Sequence, residues 1–210
     1  MAFKIWDFWA SRYDKLWVQK YSLKPTRNYI LKLIEKGYRG NKHLKVLDLG
    51  YGPGELIEEI EKRYGGYDIT GIDYSEAMLE ISMKRNPKAD HICMDAAELD
   101  KYDDEFDIII CTHSFPYYKD KAKVIADLSN ILKDDGRIFV AFASGNSFYD
   151  RFCLFFVKFT TGKACYPSDF QFRELVKPWL EIEELGVIKE KFFMPRIAVY
   201  PPAVPTVNDR

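Results

Sequence analysis

Hydrophobic positions change their spacing along this chain, and the changes divide it into elements. From Phe3 to about Gly40 the apolar residues recur every three or four positions, as in Trp6, Trp9, Ala10, Tyr13 and Trp17. This predicts helix, with a second helix opening near Pro25 and stopping near Gly37. The period then shortens. Leu44 to Leu49 is an aliphatic strand ended by the glycine-rich GYGPG, and Glu55 to Tyr64 is an amphipathic helix stopped by Gly65-Gly66. The unit repeats as a strand from Tyr67 to Ile72 and a helix capped by Ser75 that runs to about Arg85. A weak third strand covers His91 to Met94. Phe106 to Cys111 is apolar throughout, as strands buried on both faces are, and is followed by a helix from about Asp120 to Lys133 and a strand from Arg137 to Ala143. Strands alternating with helices predict a doubly wound α/β sheet.

Past Ser144 the rhythm loosens. Phe148, Phe152, Phe155, Phe156 and Phe159 fall on one stripe, so Ser147 to Thr160 is expected to be an inserted helix with an aromatic face, either an ordinary core-facing helix or the wall or lid of an apolar substrate pocket. A helix near Asp169 to Trp179 leads into two extended stretches, the second around Arg196 to Tyr200 as an edge strand. The tail from Pro201 is expected to be irregular. No repeat or linker divides the chain. It is therefore expected to be one domain with a helical cap (1–43), a central core (44–143), a substrate-side insertion (144–178) and terminal strands with a tail (179–210).

Composition removes several alternatives. With 210 residues, 47% hydrophobic and 16% aromatic, the chain can bury one sizeable core and is not disordered as a whole. Its net charge of -1 excludes a global polycation, yet residues 12–45 carry ten Lys and Arg against Asp14 and Glu35, a net of +8, while residues 46–110 are net -11. The basic segment could attract a phosphate- or carboxylate-bearing substrate, an anionic membrane surface or RNA. Cys93, Cys111, Cys153 and Cys165 include no C-x-x-C pair, so they read as reduced core thiols without a metal or disulfide framework. No apolar run approaches the roughly 20 residues that a spanning helix needs, and a cytoplasmic location is expected.

The most informative segment is Val46 to Glu55, VLDLGYGPGE. Gly50, Gly52 and Gly54 follow a strand and precede a helix, where backbone can meet a ligand directly. The third glycine of a dinucleotide fingerprint would fall at Glu55, and a Walker loop would need a terminal Gly-Lys-Ser/Thr. The spacing is D-x-G-x-G-x-G instead. Asp48, two residues ahead of Gly50, suits a ligand that carries an ammonium group and would repel a pyrophosphate.

At these residues the sequence resembles the class I S-adenosylmethionine-dependent methyltransferases, especially the small-molecule group with the ubiquinone and menaquinone C-methyltransferases. The likeness covers about residues 5–143. Gly71 to Leu79 (GIDYSEAML) resembles the family's second-strand segment, in which Asp73 would hold the ribose hydroxyls, with Tyr74 and Met78 nearby. Asp95 to Leu99 resembles the third, with Asp95 and the Ala96 amide reading the adenine edge. Phe106 to Ile110 and Leu132 to Arg137 resemble the fourth strand and the turn before the fifth. Trp9 to Asp14 resembles the amino-terminal signature, whose tyrosine, Tyr13, closes over the methionine end. The resemblance implies a Rossmann-like, mostly parallel seven-stranded sheet with helices on both faces. It also implies S-adenosyl-L-methionine as cofactor, yielding S-adenosyl-L-homocysteine, with Asp48, Gly50, Tyr51, Gly52, Gly54 and Thr112 completing its site.

The loop after the fourth strand, Cys111 to Tyr118, stands at the carboxyl edge where α/β ligands sit. His113 is its base candidate, since a free imidazole titrates near pH 6.5. Tyr117, Tyr118, Phe152 and Phe156 are expected to line a site for a small aromatic or hydrophobic acceptor, as monomer or homodimer. Nucleic acid is not the favoured partner, and peripheral contact with a membrane stays open. The alternatives are an RNA or protein methyltransferase that uses the basic segment and a cofactor-binding regulator without catalysis.

Overall fold

The computed structural model describes residues 3–10, 12–13, 16–162, 164–182, 185–188 and 197–205, excluding the side chains of 3–5, 156–161 and 201–205. Eight strands form one sheet: β1 (Lys45–Leu49), β2 (Asp68–Asp73), β3 (Asp90–Cys93), β4 (Phe106–Thr112), β5 (Leu132–Ala143), β6 (Leu180–Ile182), β7 (Gly186–Ile188) and β8 (Ile197–Pro205). Their spatial order is β3-β2-β1-β4-β5-β8-β6, and β7 also pairs with β8. The sheet is thus seven positions wide, as the sequence implied, with the last position shared by two short strands. β1 to β5 run parallel, while β8 is antiparallel to β5, β6 and β7. Strand order reverses between β1 and β4, which makes the carboxyl ends of these two strands the natural ligand crevice.

The helices are α1 (Phe3–Ala10), α2 (Lys24–Tyr38), α3 (Glu55–Tyr64), α4 (Glu76–Arg85), α5 (Lys121–Asn130), α6 (Phe148–Thr161) and α7 (Asp169–Val176). Successive strand residues point to opposite faces, and this alternation sorts two cores. Leu47, Leu49, Ile109 and Cys111 pack with Val124, Leu128 and Phe172 from α5 and α7. Val46, Ile108 and Ile110 pack with Ile30, Ile34, Ile57 and Ile60 from α2 and α3. The same period puts Asp48 and Thr112 on the α2 and α3 side, at the carboxyl ends of β1 and β4.

Several expectations need correction. The helix expected to reach Lys133 ends at Asn130, because β5 already pairs Leu132 with Phe106 before a register shift at Ile108. The final strand does not stop at Pro201 but runs to Pro205. A bulge between the Ile138 and Val140 pairings takes up the two prolines, which have no N–H to give the ladder. Ile197 to Tyr200 is consequently interior to the sheet, flanked by β5 and β7, and is no edge for pairing between chains. Of the four free cysteines only Cys111 is buried, while Cys93 and Cys165 are exposed. In the described part of helix α6 the aromatic residues face outward: Asp150 and Leu154, one turn apart, are buried, and Phe148, Phe152 and Phe155 are 87%, 54% and 56% exposed, while the Phe156 and Phe159 side chains lie outside the described residues. The inward Asp150 carboxylate accepts from Ser147 at the helix start, which fixes that orientation.

Candidate functional site

The site begins where β1 turns into α3. The Gly50 N–H donates to the Ile72 carbonyl at 2.7 Å, extending the β1–β2 ladder by one residue, and Gly50, Gly52 and Gly54 then take φ values of 74°, 57° and 77°. A Cβ on Gly50 would stand 2.3 Å from the Ser114 Cβ, and one on Gly54 would stand 2.0 Å from the Ser82 Oγ. These two positions are close approaches of backbone to side chain. Gly52 differs, since a Cβ there would have no atom within 4 Å, so its backbone borders open space.

Two buried acids flank this loop. Asp48 is 1% exposed, and neither carboxylate oxygen has a hydrogen-bond partner. Burial, with Asp73 adding to it and Arg27 opposing, pushes its pKa up to about 7. Asp73 accepts from the Gly52 N–H at 2.9 Å and the Ser75 N–H at 3.0 Å, and burial raises its pKa despite those bonds. A carboxylate has about four acceptor positions, so Asp73 keeps capacity for further donors. Asp95 is exposed and caps a short 3-10 helix by accepting from the Ala97 N–H, with Ala96 buried behind it. Met78 is buried in α4, its N–H donating to the Ser75 Oγ, and Tyr74 lies half-buried after β2. Tyr51 keeps its backbone in the loop but sends its ring into the core, against the site of a Gly71 Cβ and edge-on to His91.

Helix α1 lies over these residues. The Ser75 Oγ donates to Asp7 at 2.6 Å, tying α1 to the start of α4. The Trp6 ring stands edge-on between Tyr13, at 6.3 Å, and Tyr117, at 5.1 Å. Burial, with Tyr117, Glu55 and Asp73 nearby, raises the Tyr13 pKa and keeps its phenol neutral. The Tyr117 hydroxyl meets that of Tyr166 at 3.2 Å. Four aromatic residues, Trp6, Tyr13, Tyr117 and Tyr166, therefore form a connected series beside the glycine loop.

The loop after β4 supplies the remaining groups. His113 donates its backbone N–H to the Ala141 carbonyl and adopts φ 61°, a left-handed conformation in which histidine is enriched among non-glycine residues. Its Nε2 pairs with the Thr26 Oγ1 on α2 at 3.0 Å, and burial, with Arg27 nearby, lowers its pKa to about 4. The imidazole is thus neutral at pH 7 and more weakly basic than a free histidine. Thr112 is half-buried at the end of β4. The Ser114 Oγ donates to the Leu49 carbonyl at 3.0 Å and accepts from the Tyr118 hydroxyl at 2.9 Å, with the buried Cys111 Sγ at 3.2 Å. Tyr118 thereby spends its hydroxyl on clamping the β4 loop to the end of β1.

The structure therefore brings Tyr13, Asp48, Gly50, Gly52, Gly54, Asp73, Thr112, His113 and Tyr117 to one sheet edge. Phe152 stands mostly in solvent, and the Phe156 side chain lies outside the described residues. Sequence reasoning missed Trp6, Asp7, Thr26, Ser114 and Tyr166. Their contacts span dozens of residues, and no local spacing announces them. Among the described residues no cluster of three His, Cys, Asp or Glu could hold a metal, and no helix is long and apolar enough to cross a membrane.

Comparison with known proteins agrees with this geometry. A family model described as a methyltransferase domain matches residues 46–136. The demethylmenaquinone methyltransferase of Thermotoga maritima is 35% identical over 96 residues, which are 46% of this chain and 42% of that protein. A malonyl-[acyl-carrier protein] O-methyltransferase of Bacillus anthracis is 27% identical over 115 residues, covering 54% of this chain and 42% of the relative. The chain thus spans less than half the length of these curated relatives. In fold it is similar to the N-methyltransferase NodS of Bradyrhizobium japonicum, solved with S-adenosyl-L-homocysteine: the TM-score is 0.76 at 12% identity, over 97% of this chain and 98% of that one.

Proposed function

We propose that this chain, whose residues 46–136 match a methyltransferase-domain family model, is a class I S-adenosylmethionine-dependent enzyme that transfers the methyl group of S-adenosyl-L-methionine to a small aromatic or hydrophobic acceptor. The observation that carries the reading is Asp48. Its buried carboxylate has both oxygens unpartnered at the end of β1, two residues before a glycine loop whose Gly52 borders open space. A carboxylate in that state is costly unless a cationic donor completes it, and the ammonium of the cofactor's methionine end is such a donor. The site's residues therefore fit this cofactor on chemical grounds.

In this reading Asp48 and the backbone of Gly50, Gly52 and Gly54 take the methionine end, with Tyr13 closing over it. Asp73 takes the ribose hydroxyls, and Asp95 with the Ala96 N–H takes the adenine edge. When bound, the sulfonium supplies a methyl group activated for in-line displacement by a neutral thioether leaving group. The protein's work is then to hold the acceptor opposite that methyl and to exclude water, which can contribute effective molarities on the order of 10⁵ M or more. The aromatic series from Trp6 to Tyr166 offers flat apolar surface for this purpose, in keeping with the quinone named for the Thermotoga relative. His113, neutral and with Nε2 engaged by Thr26, offers Nδ1 to the acceptor's proton. Its low basicity suits an acidic hydroxyl or an already activated ring carbon better than an aliphatic alcohol.

The test is calorimetric titration with S-adenosyl-L-methionine and S-adenosyl-L-homocysteine beside Asp73→Ala, followed by transfer of labelled methyl to a demethylated menaquinone. Micromolar binding, about 8 kcal/mol at 1 μM, that disappears in the variant is expected. Absence of binding by the wild-type protein would refute the proposal.

A further inference from the structure

The described cationic side chains between residues 12 and 45 are unequally matched by acids. Arg27 pairs with Glu55 at 2.7 Å and Glu59 at 3.1 Å, Lys45 pairs with Asp104, and Arg12 lies over the Phe8 ring. Lys24 and Lys32 make no ion pair among the described residues, and Lys20 lies over the Tyr21 ring at 5.3 Å. Lys20, Lys24 and Lys32, with Asn28 between, line a groove of about 370 Å³ floored by Pro25, Tyr29 and Ile188, and among the described residues no carboxylate lines it.

The fold builds this groove. Residues 20, 24, 28 and 32 follow one another at four-residue steps, so the lysines span about 18 Å at a helical rise of 1.5 Å per residue. A π-helical turn, Gln19–Leu23, immediately precedes α2 and carries Lys20. Such turns recur at functional sites. The opposite wall is β7, where Gly186 leaves room for the Tyr29 ring: a Cβ there would stand 2.6 Å from its hydroxyl. The groove also shares the sheet edge of the candidate site. Ile188 pairs with Ile197, which pairs with Ala143 at the carboxyl end of β5. Pro25 in its floor adjoins Thr26, which holds His113. Three strand spacings separate β4 from the β7 position, a lateral reach of about 14 Å.

We propose that this groove binds a phosphate-bearing group, forming the distal subsite for an elongated acceptor whose other end reaches the loop after β4. Lysine ammoniums bind phosphate as point charges. Three of them along one wall, with no acid among the described lining residues, suit a ligand with more than one anionic oxygen cluster. The volume lies in the small-ligand range of roughly 300–1,000 Å³, which favours a small phosphate ester over a macromolecule. Anion binding stands by itself, and only the link to an acceptor rests on methyl transfer.

The experiment titrates the full chain with inorganic pyrophosphate at low salt, in wild type and in a Lys24→Gln/Lys32→Gln variant, with S-adenosyl-L-homocysteine as a second ligand. Saturable millimolar binding is expected, weakened by added salt and at least tenfold weaker in the variant, while affinity for S-adenosyl-L-homocysteine stays unchanged. No saturation, or equal binding by the variant, overturns the proposal. So does binding to anionic phospholipid vesicles without binding to pyrophosphate. Lysine-dependent pyrophosphate binding in a protein that ignores S-adenosyl-L-homocysteine would support the anion site and remove the methyltransferase reading.

Discussion

Replacing Asp48 by asparagine tests the electrostatic argument most directly. In the free protein the carboxylate takes a proton with a pKa of about 7, against a usual value near 4 in the unfolded chain, because burial and the neighbouring Asp73 disfavour its charge. The folded state therefore binds more protons than the unfolded state between these values, so the stability owed to this group falls as pH rises through that window. At 1.36 kcal/mol per pH unit, going from pH 5 to pH 8 removes roughly 2.5 kcal/mol. A carboxamide in its place does not titrate, so the variant should be unaffected by this change. His113 changes stability in the opposite direction at lower pH, which is why the comparison is between the two proteins and not along one profile. Urea unfolding of ligand-free wild type and Asp48→Asn at pH 5 and pH 8 reads the difference. The variant should gain roughly 2.5 kcal/mol on the wild type between the two conditions, and its affinity for S-adenosyl-L-homocysteine should fall at least tenfold at pH 8. Parallel pH profiles would mean that Asp48 is solvated or paired in solution, and the case for a cationic ligand at that carboxylate would collapse.

Gly50→Ala should lose cofactor binding and stability together, since left-handed backbone costs about 1–2 kcal/mol for a residue with a Cβ and the new methyl would collide with Ser114; thermal unfolding with calorimetry checks both. Ser114→Ala leaves the Leu49 carbonyl and the Tyr118 hydroxyl without their bonds, and a loss of about 1–3 kcal/mol is expected in chemical denaturation, with Tyr118→Phe losing less. For His113, whose pKa of about 4 lies below the free value of 6.5, the unfolded chain binds the extra proton. Wild type should thus lose stability relative to His113→Asn as pH falls from 6.5 to 4, by up to roughly 3 kcal/mol, measured by urea unfolding across that range. Equal acid sensitivity of the two would count against a buried, neutral imidazole.

The parts of the molecule that could be read from sequence are those fixed by local rules. Strand β1 and its glycines announce themselves because a buried aliphatic run must end in residues that tolerate positive φ, and Ser75 announces α4 because its hydroxyl caps the Met78 N–H. The misreadings lie where tertiary partners override a local signal. Two prolines at 201 and 202 mark irregular chain by propensity, yet pairing with β5 and β6 carries β8 past them through a bulge. The aromatic stripe of α6 suggests a buried face, yet a capping interaction between Ser147 and Asp150 turns the acid inward and leaves Phe148, Phe152 and Phe155 outward. At the site, Asp48 and Asp73 follow from spacing and resemblance. The bonds that set the pose of His113 and Tyr118 come from Thr26 and Ser114, and nothing in the sequence around Thr26 singles it out from other helical threonines.

The charge asymmetry between the two parts of the chain acquires a physical sense in this arrangement. The acidic segment buries Asp48 and Asp73 near one another, where Asp73 raises the pKa of Asp48, and Asp7 from α1 adds to the charge around Asp73. Arg27, the cation that opposes this at Asp48, is already engaged by Glu55 and Glu59. The interior is thus short of positive charge in the free protein, and a ligand bringing an ammonium and a sulfonium would relieve the deficit. The basic segment supplies Arg27 to the interior but leaves Lys20, Lys24 and Lys32 facing outward in a groove at the same sheet edge. A cationic cofactor drawn to the acids of β1 and β2 and an anionic group drawn to the lysines beside β7 would bind at least four strand spacings apart without competing. That separation of sign along one edge is what an enzyme needs to bring two differently charged reactants to neighbouring positions.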